Sequence, residues 1–77
     1  MERIPLAIVG CGGMGHRHLF GLAELHRAGL SPFDLVGACD LFTENAESLA
    51  TNAQQLLGKR PVVVKTLAEL EPLGVAA

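Results

Sequence analysis

Apolar and polar positions follow two kinds of pattern along the chain. Short apolar runs occupy residues 4–9, 33–39 and 61–64, the second of them only mostly apolar. Such runs are typical of strands buried on both faces of a parallel sheet. Between the first two runs, apolar residues recur at helical spacing from Met14 to about Ala28, and Gly29 supplies a stop. These patterns predict three strands and a first helix.

A second helix is predicted between the second and third strands. One of its faces carries an apolar stripe, which ends before Gly58 and consists of Ala46, Leu49, Ala50, Ala53, Leu56 and Leu57. Residues 66–70 predict a short final helix that stops before Pro72. Apolar character rises again over residues 74–77, as at the start of a fourth strand.

Alternating strands and helices predict an α/β fold with a parallel sheet and helices on its faces. We therefore expect a partial Rossmann fold, a β-α-β-α-β three-layer sandwich cut before or within its fourth strand. The first strand would then expose a bare apolar edge. We expect the 77-residue chain alone to aggregate or to be partly disordered.

Composition narrows the possible partners. The chain is 49% hydrophobic and 18% charged, a balance that suits a piece buried in something larger. Its net charge is −2 without a run of Lys or Arg, so we expect neither nucleic-acid nor membrane binding. Its apolar runs fall short of the roughly 20 residues of a membrane span, and the N-terminal segment from Met1 is too short for a signal peptide. We predict a cytoplasmic protein with reduced cysteines.

A glycine motif carries the candidate chemistry. Gly10, Gly12 and Gly15 directly follow the first predicted strand and open the first helix, which is the setting of a dinucleotide-binding loop. Gly10 would permit the turn, Gly12 would let a pyrophosphate approach the backbone, and Gly15 would allow close helix packing. Amides near Gly13 and Met14 are the expected phosphate donors. A tight turn that merely requires glycine is the alternative.

Asp40 completes the candidate site. It ends the second strand, where an acid can accept hydrogen bonds from the adenosine ribose; the alternative role is an N-cap of the next helix. Its neighbours Leu41 and Phe42 carry no cation for a 2'-phosphate, which favours NAD over NADP. Lys59 or Arg60 could approach, so NADP stays possible.

We predict the following cofactor-binding residues: Gly10, Cys11, Gly12, Gly13, Met14, Gly15 and Asp40. Cys11 lies at a helix N-terminus, an environment that lowers a thiol pKa, although a small inert side chain is its expected role. His16 and His18 are two residues apart and point to different sides of a helix, so we expect no metal site.

The sequence resembles the N-terminus of the Gfo/Idh/MocA oxidoreductases, which include glucose-fructose oxidoreductase and inositol dehydrogenase. The resemblance covers essentially all 77 residues and rests on residues 8–18, 35–40 and 64–70. It implies that residues 1–77 are the N-terminal part of a dinucleotide-binding Rossmann domain, with the C-terminal substrate domain absent. It also implies hydride transfer between NAD(P) and a sugar, polyol or similar small hydroxylated substrate, and relatives that form homo-oligomers.

The family's catalytic lysine lies in a Glu-Lys-Pro motif, which does not occur in this sequence. We therefore predict no catalytic residue here, and the 77-residue chain alone is not expected to be catalytic. Two other functions remain open. One is a non-catalytic nucleotide-sensing or protein-interaction module of the same family. The other is a domain that binds S-adenosylmethionine, which also uses a glycine loop and an acid after the second strand.

Overall fold

A computed structural model describes residues 3–77 as three strands, two α-helices and a 3-10 helix. Met1 and Glu2, part of the segment judged too short for a signal peptide, lie outside the described residues. The elements follow the predicted order and are β1 (Ile4–Val9), α1 (Gly13–Arg27), β2 (Phe33–Cys39), α2 (Thr43–Leu57), β3 (Val62–Val64) and the 3-10 helix (Leu67–Leu73).

The three strands form one parallel sheet in the order β1-β2-β3. Helices connect the strands, so the predicted α/β class and partial Rossmann-like β-α-β-α-β arrangement are confirmed. Parallel strands bring their carboxyl ends to one edge of the sheet, which is where ligands bind in open α/β folds. That edge contains the residues after Val9, Cys39 and Val64.

The sheet separates two apolar clusters. The larger cluster joins the sheet to α1 and α2 and contains Ile8, Cys11, Leu19, Leu22, Leu35, Ala38, Ala46, Leu49 and Ala53. On the other face, the 3-10 helix contributes Leu70, which packs with Cys39 and Val64. Helical layers therefore cover both faces of the sheet, as a three-layer sandwich requires.

An irregularity in β2 was not predicted from the sequence. Leu6 of β1 pairs with Leu35, but Ala7 pairs with Gly37, so Val36 is an extra residue in the ladder. An extra residue reverses the alternation of side chains beyond it. As a result, Gly37 faces the 3-10 helix, where an added Cβ would lie 2.8 Å from Cδ2 of Leu70.

The final helix differs from the prediction. It is a 3-10 helix over Leu67–Leu73 that contains Pro72, so the predicted stop before this proline is wrong. Proline lacks an N–H and is a poor fit to an α-helix interior, but this 7-residue 3-10 helix contains one. Gly74 ends the helix in the left-handed conformation, with φ of 68°.

The last residues lie along the edge of β1 that faces away from β2. The N–H groups of Ala76 and Ala77 donate to the Pro5 carbonyl at 2.9 and 3.1 Å, and the Ala7 N–H donates to the Ala77 carbonyl at 3.0 Å. This is the hydrogen-bond pattern of a parallel neighbour. The apolar run at residues 74–77 therefore occupies the place expected for a fourth strand, although no strand is assigned there.

Across residues 3–77, no helix is long and apolar enough to cross a membrane.

Candidate dinucleotide site

The glycine loop joins the carboxyl end of β1 to the start of α1. Gly10 has a φ of 82°, a left-handed conformation that glycine adopts without steric cost. Its N–H donates to the Cys39 carbonyl at 2.8 Å. The turn therefore leaves β1 while still bonded to the end of β2.

Gly15 lies where α1 passes closest to the loop. A Cβ at this position would lie 2.2 Å from the Gly10 carbonyl oxygen and 3.4 Å from Cγ2 of Ile8. The first of these distances is far inside van der Waals contact with a backbone atom. Only glycine fits here, as expected for a residue that lets the helix approach the sheet closely.

Gly12 and Gly13 face open space instead. A Cβ added at either residue would meet no atom of the described chain within 4 Å. Packing of residues 3–77 therefore gives no reason for glycine at these two positions. A ligand approaching the backbone would give one.

The first turn of α1 leaves backbone donors available. The first helical hydrogen bond runs from the His16 N–H to the Gly12 carbonyl at 3.0 Å, so the N–H groups of Gly13, Met14 and Gly15 precede the helical ladder. Gly12 is the N-cap, and no side chain of residues 3–77 caps this helix end. The helix dipole adds positive potential at the same place.

Asp40 connects the end of β2 to the glycine loop. Its Oδ2 accepts a hydrogen bond from the Cys11 N–H at 2.8 Å, and its Oδ1 accepts one from the Phe42 N–H at 2.9 Å. The Phe42 and Cys11 amides, with a contribution from the Asn45 side chain, hold the pKa of Asp40 below its usual value despite some desolvation. The carboxylate is therefore ionised at neutral pH.

Asp40 is not the N-cap of helix α2, which was its alternative role. Helix α2 begins at Thr43 and its N-cap is Phe42, two residues after Asp40. The bond from the Phe42 N–H closes a local turn before the helix.

Cys11 is buried beneath the loop. Its side chain is 0% exposed, and its Sγ lies 3.4 Å from the Cys39 carbonyl oxygen and 3.7 Å from that of Ile8, so either can accept from the single S–H. Burial, and secondarily the negative charges of Asp40 and Cys39, raise the pKa of the Cys11 thiol to about 11. The expectation that the helix N-terminus lowers this pKa is wrong, because desolvation outweighs the dipole.

A cleft of about 410 Å³ opens at the carboxyl ends of the strands. Its lining consists of Val9, Gly10, Cys39, Asp40, Leu41, Phe42, Lys65, Thr66 and Leu67. Leu41 and Phe42 are 77% and 72% exposed, so large apolar side chains remain uncovered beside the Asp40 carboxylate. Such a lining can contact apolar surface of a ligand and accept hydrogen bonds from its hydroxyl groups.

Lys59 and Arg60, the two cations considered for a 2'-phosphate, are engaged elsewhere. Lys59 Nζ lies 3.3 Å from Oδ2 of Asp34, and Arg60 pairs with Glu47 and also donates to Thr51. Neither residue is among those that line the described cleft. Lys65 does line it, and sequence reasoning missed this residue, although its position directly after the third apolar run was a usable signal.

The histidines occupy separate environments. Nδ1 of His16 lies 3.0 Å from the Gly12 carbonyl oxygen, so this nitrogen carries the proton in that bond. Arg17 and His18 instead line a groove beside β1. No group of three or more His, Cys, Asp or Glu residues within residues 3–77 could hold a metal ion.

The structure thus brings Asp40 to the loop that contains the six other predicted cofactor-binding residues. Comparison with protein-family models, curated proteins and solved structures finds no match to this chain. The resemblance to the Gfo/Idh/MocA oxidoreductases stays a prediction.

Proposed function

We propose that this chain binds a nicotinamide dinucleotide, with NAD preferred over NADP, through its glycine loop and Asp40. The observation that carries the proposal is the free first turn of α1 beside Gly12 and Gly13, where open space adjoins the backbone. Unpaired N–H groups and a positive helix end are the features that bind a pyrophosphate. A plain turn accounts for Gly10 and Gly15 but not for the two open glycines.

The adenosine would occupy the cleft beside the loop. Its base would contact the exposed side chains of Leu41 and Phe42, which line this cleft. Each oxygen of Asp40 accepts one backbone N–H, and a carboxylate oxygen can accept two hydrogen bonds. The Asn45 side chain takes a further position, which leaves one acceptor position of the carboxylate for a ribose hydroxyl.

The wider role follows the family resemblance. We infer that the chain is the cofactor-binding portion of an oxidoreductase that moves hydride between the nicotinamide and a sugar, polyol or similar small hydroxylated substrate. The cofactor supplies the hydride chemistry when bound. The residues described here would hold and orient the cofactor, and we assign no catalytic residue among them.

A calorimetric titration with NAD tests the binding proposal, using two substitutions that each add one methyl group to α1 or its start. We expect Gly12→Ala to weaken NAD binding at least about tenfold, because the added Cβ enters the space proposed for the pyrophosphate. Gly21→Ala is the matched control, since its Cβ also meets nothing within 4 Å but lies about two and a half turns further along the helix. It should bind NAD like the wild type.

Two results of the same titration would contradict the proposal. A folded wild type that binds neither NAD nor NADP would favour the interaction-module alternative. Binding of S-adenosylmethionine without NAD would favour the alternative of a domain that binds S-adenosylmethionine.

A further inference from the structure

We propose that Lys65 is a second determinant of cofactor choice, which binds the 2'-phosphate of NADP in the cleft where Asp40 accepts the 2'-hydroxyl of NAD. The inference rests on the proposed function, because it concerns the same dinucleotide site. It goes further by predicting that one cleft accepts both cofactors and that different residues hold each one.

The sheet register places Lys65 beside Asp40. Cys39 of β2 pairs with Val64 of β3, and the Asp40 N–H donates to the Val64 carbonyl at 3.2 Å. The next residues along the two strands are Asp40 and Lys65, and neighbouring strands lie about 4.8 Å apart. Asp40 and Lys65 are therefore backbone neighbours at the strand ends, and both line the cleft.

Lys65 is also the cation that the described ion pairs leave available at this cleft. The ion pairs within residues 3–77 join Arg27 to Glu24, Lys59 to Asp34 and Arg60 to Glu47. Glu69, the acid nearest in sequence, directs its Oε1 to the N–H groups of Lys65 and Thr66 and to the Thr66 hydroxyl. The charge of Lys65 contributes to the lowered pKa of Glu69, but the ammonium makes none of these ion pairs. It can therefore turn to a ligand phosphate in the cleft.

The two side chains should act in opposite directions on the two cofactors. Asp40 repels a 2'-phosphate and accepts a hydrogen bond from a 2'-hydroxyl. Lys65 attracts the phosphate but adds little to the binding of the neutral hydroxyl. We therefore expect measurable NADP binding that is weaker than NAD binding, with Lys65 responsible for most of it.

Titration of the full chain with NAD and NADP tests the role of Lys65 through the variant Lys65→Gln. We expect this variant to lose about tenfold in NADP affinity and less than about twofold in NAD affinity. Lys59→Gln is the matched control, because Lys59 is another exposed lysine but pairs with Asp34 away from the cleft. It should leave both affinities within about twofold of the wild type. Circular dichroism establishes that both variants fold.

The outcomes separate the two proposals. If the wild type binds NAD and Lys65→Gln changes both affinities equally, or changes neither, the role of Lys65 is overturned. The dinucleotide site then still stands. A loss of NADP affinity in Lys59→Gln as large as in Lys65→Gln also overturns it, since the effect would then be one of net charge. Absence of binding of both cofactors to the folded wild type overturns the dinucleotide site and the role of Lys65 with it.

Discussion

The backbone N–H of Cys11 donates a 2.8 Å hydrogen bond to Oδ2 of Asp40, across a sequence separation of 29 residues. Asp40 thereby fixes the glycine loop to the end of β2, while the Gly10 N–H makes a second link to the Cys39 carbonyl. The residue proposed to bind the ribose is therefore also a support for the loop proposed to bind the pyrophosphate. Ligand contact and loop geometry are coupled at this carboxylate.

This coupling predicts that Asp40→Ala and Asp40→Asn differ. Alanine removes both acceptors, so we expect a lower melting temperature and at least about tenfold weaker NAD binding. Asparagine keeps one acceptor oxygen, and its loss of stability should be smaller. Thermal unfolding followed by circular dichroism measures the first effect and calorimetry the second. Equal melting temperatures for wild type and Asp40→Ala would contradict the supporting role.

Asp40 should also contribute to the fall of the free energy of unfolding at acid pH. Its pKa is held below the usual value in the folded chain, so its contribution is complete above the unfolded value of about 4 and is lost as pH falls through the folded pKa. Urea unfolding at a series of pH values below about 5 measures this fall. Asp40→Asn should flatten it, and an unchanged slope in this variant would show that other groups account for the acid sensitivity.

Gly15→Ala tests the close approach of α1 to the loop. The added Cβ would lie 2.2 Å from the Gly10 carbonyl oxygen, and because a backbone atom must move, we expect a loss of about 3 kcal/mol in the free energy of unfolding. Gly13→Ala makes the same change where a Cβ meets nothing within 4 Å. Urea denaturation should show little loss for this second variant. Similar stability of the two variants would contradict the packing described for Gly15.

The raised pKa of Cys11 predicts a loss of stability at alkaline pH. Burial raises its pKa to about 11 in the folded chain from an ordinary value of 9.0, so the folded state retains a proton that the unfolded state releases. Its contribution to stability is complete below the unfolded pKa and falls as pH rises from about 9 to about 11.

Denaturation at several pH values across this range measures the effect of Cys11. The decline should be smaller in Cys11→Ala than in the wild type, with a remainder from Cys39, whose pKa burial also raises. In the folded wild type at pH 8, thiol reagents should modify Cys11 slowly. Rapid modification of the folded chain would contradict its burial.

Leu49→Ala tests the core between the sheet and the two helices. Leu49 is fully buried, and truncation of such a leucine costs about 2–5 kcal/mol, which is comparable with the whole stability of a domain this small. We expect Leu49→Ala to be largely unfolded by circular dichroism at 25 °C. Leu30→Ala is the matched control, since Leu30 is 71% exposed, and it should remain folded. A well-folded Leu49→Ala would contradict the assigned core.

Local patterns were sufficient to predict most of the fold. The bounds of β1 and β2 agree with the apolar runs. The stripe that begins at Ala46 faces the core as expected except at Leu56, which is 42% exposed. The extra residue Val36 was not predictable, because a bulge depends on how two strands pair and not on the sequence of one strand. The helical turn containing Pro72 was missed because the stop rule applies to α-helices.

The site was predicted less completely than the fold. The glycine spacing located the loop, but the bond between Cys11 and Asp40 depends on the sheet bringing distant residues together. Lys65 was missed for a similar reason, since its place beside Asp40 follows from the register of β2 with β3. The raised pKa of Cys11 depends on burial, which position at a helix start does not reveal.

The most direct test of the dinucleotide site is an NMR titration of the ¹⁵N-labelled chain with NAD, which reports every backbone amide separately. We expect saturable shifts of the amides of Gly12, Gly13 and Met14, smaller shifts at the Asp40 end of β2, and none at Gly58, which follows α2. Saturable shifts confined to residues away from the loop and Asp40, or no shifts in a well-dispersed spectrum, would contradict the site.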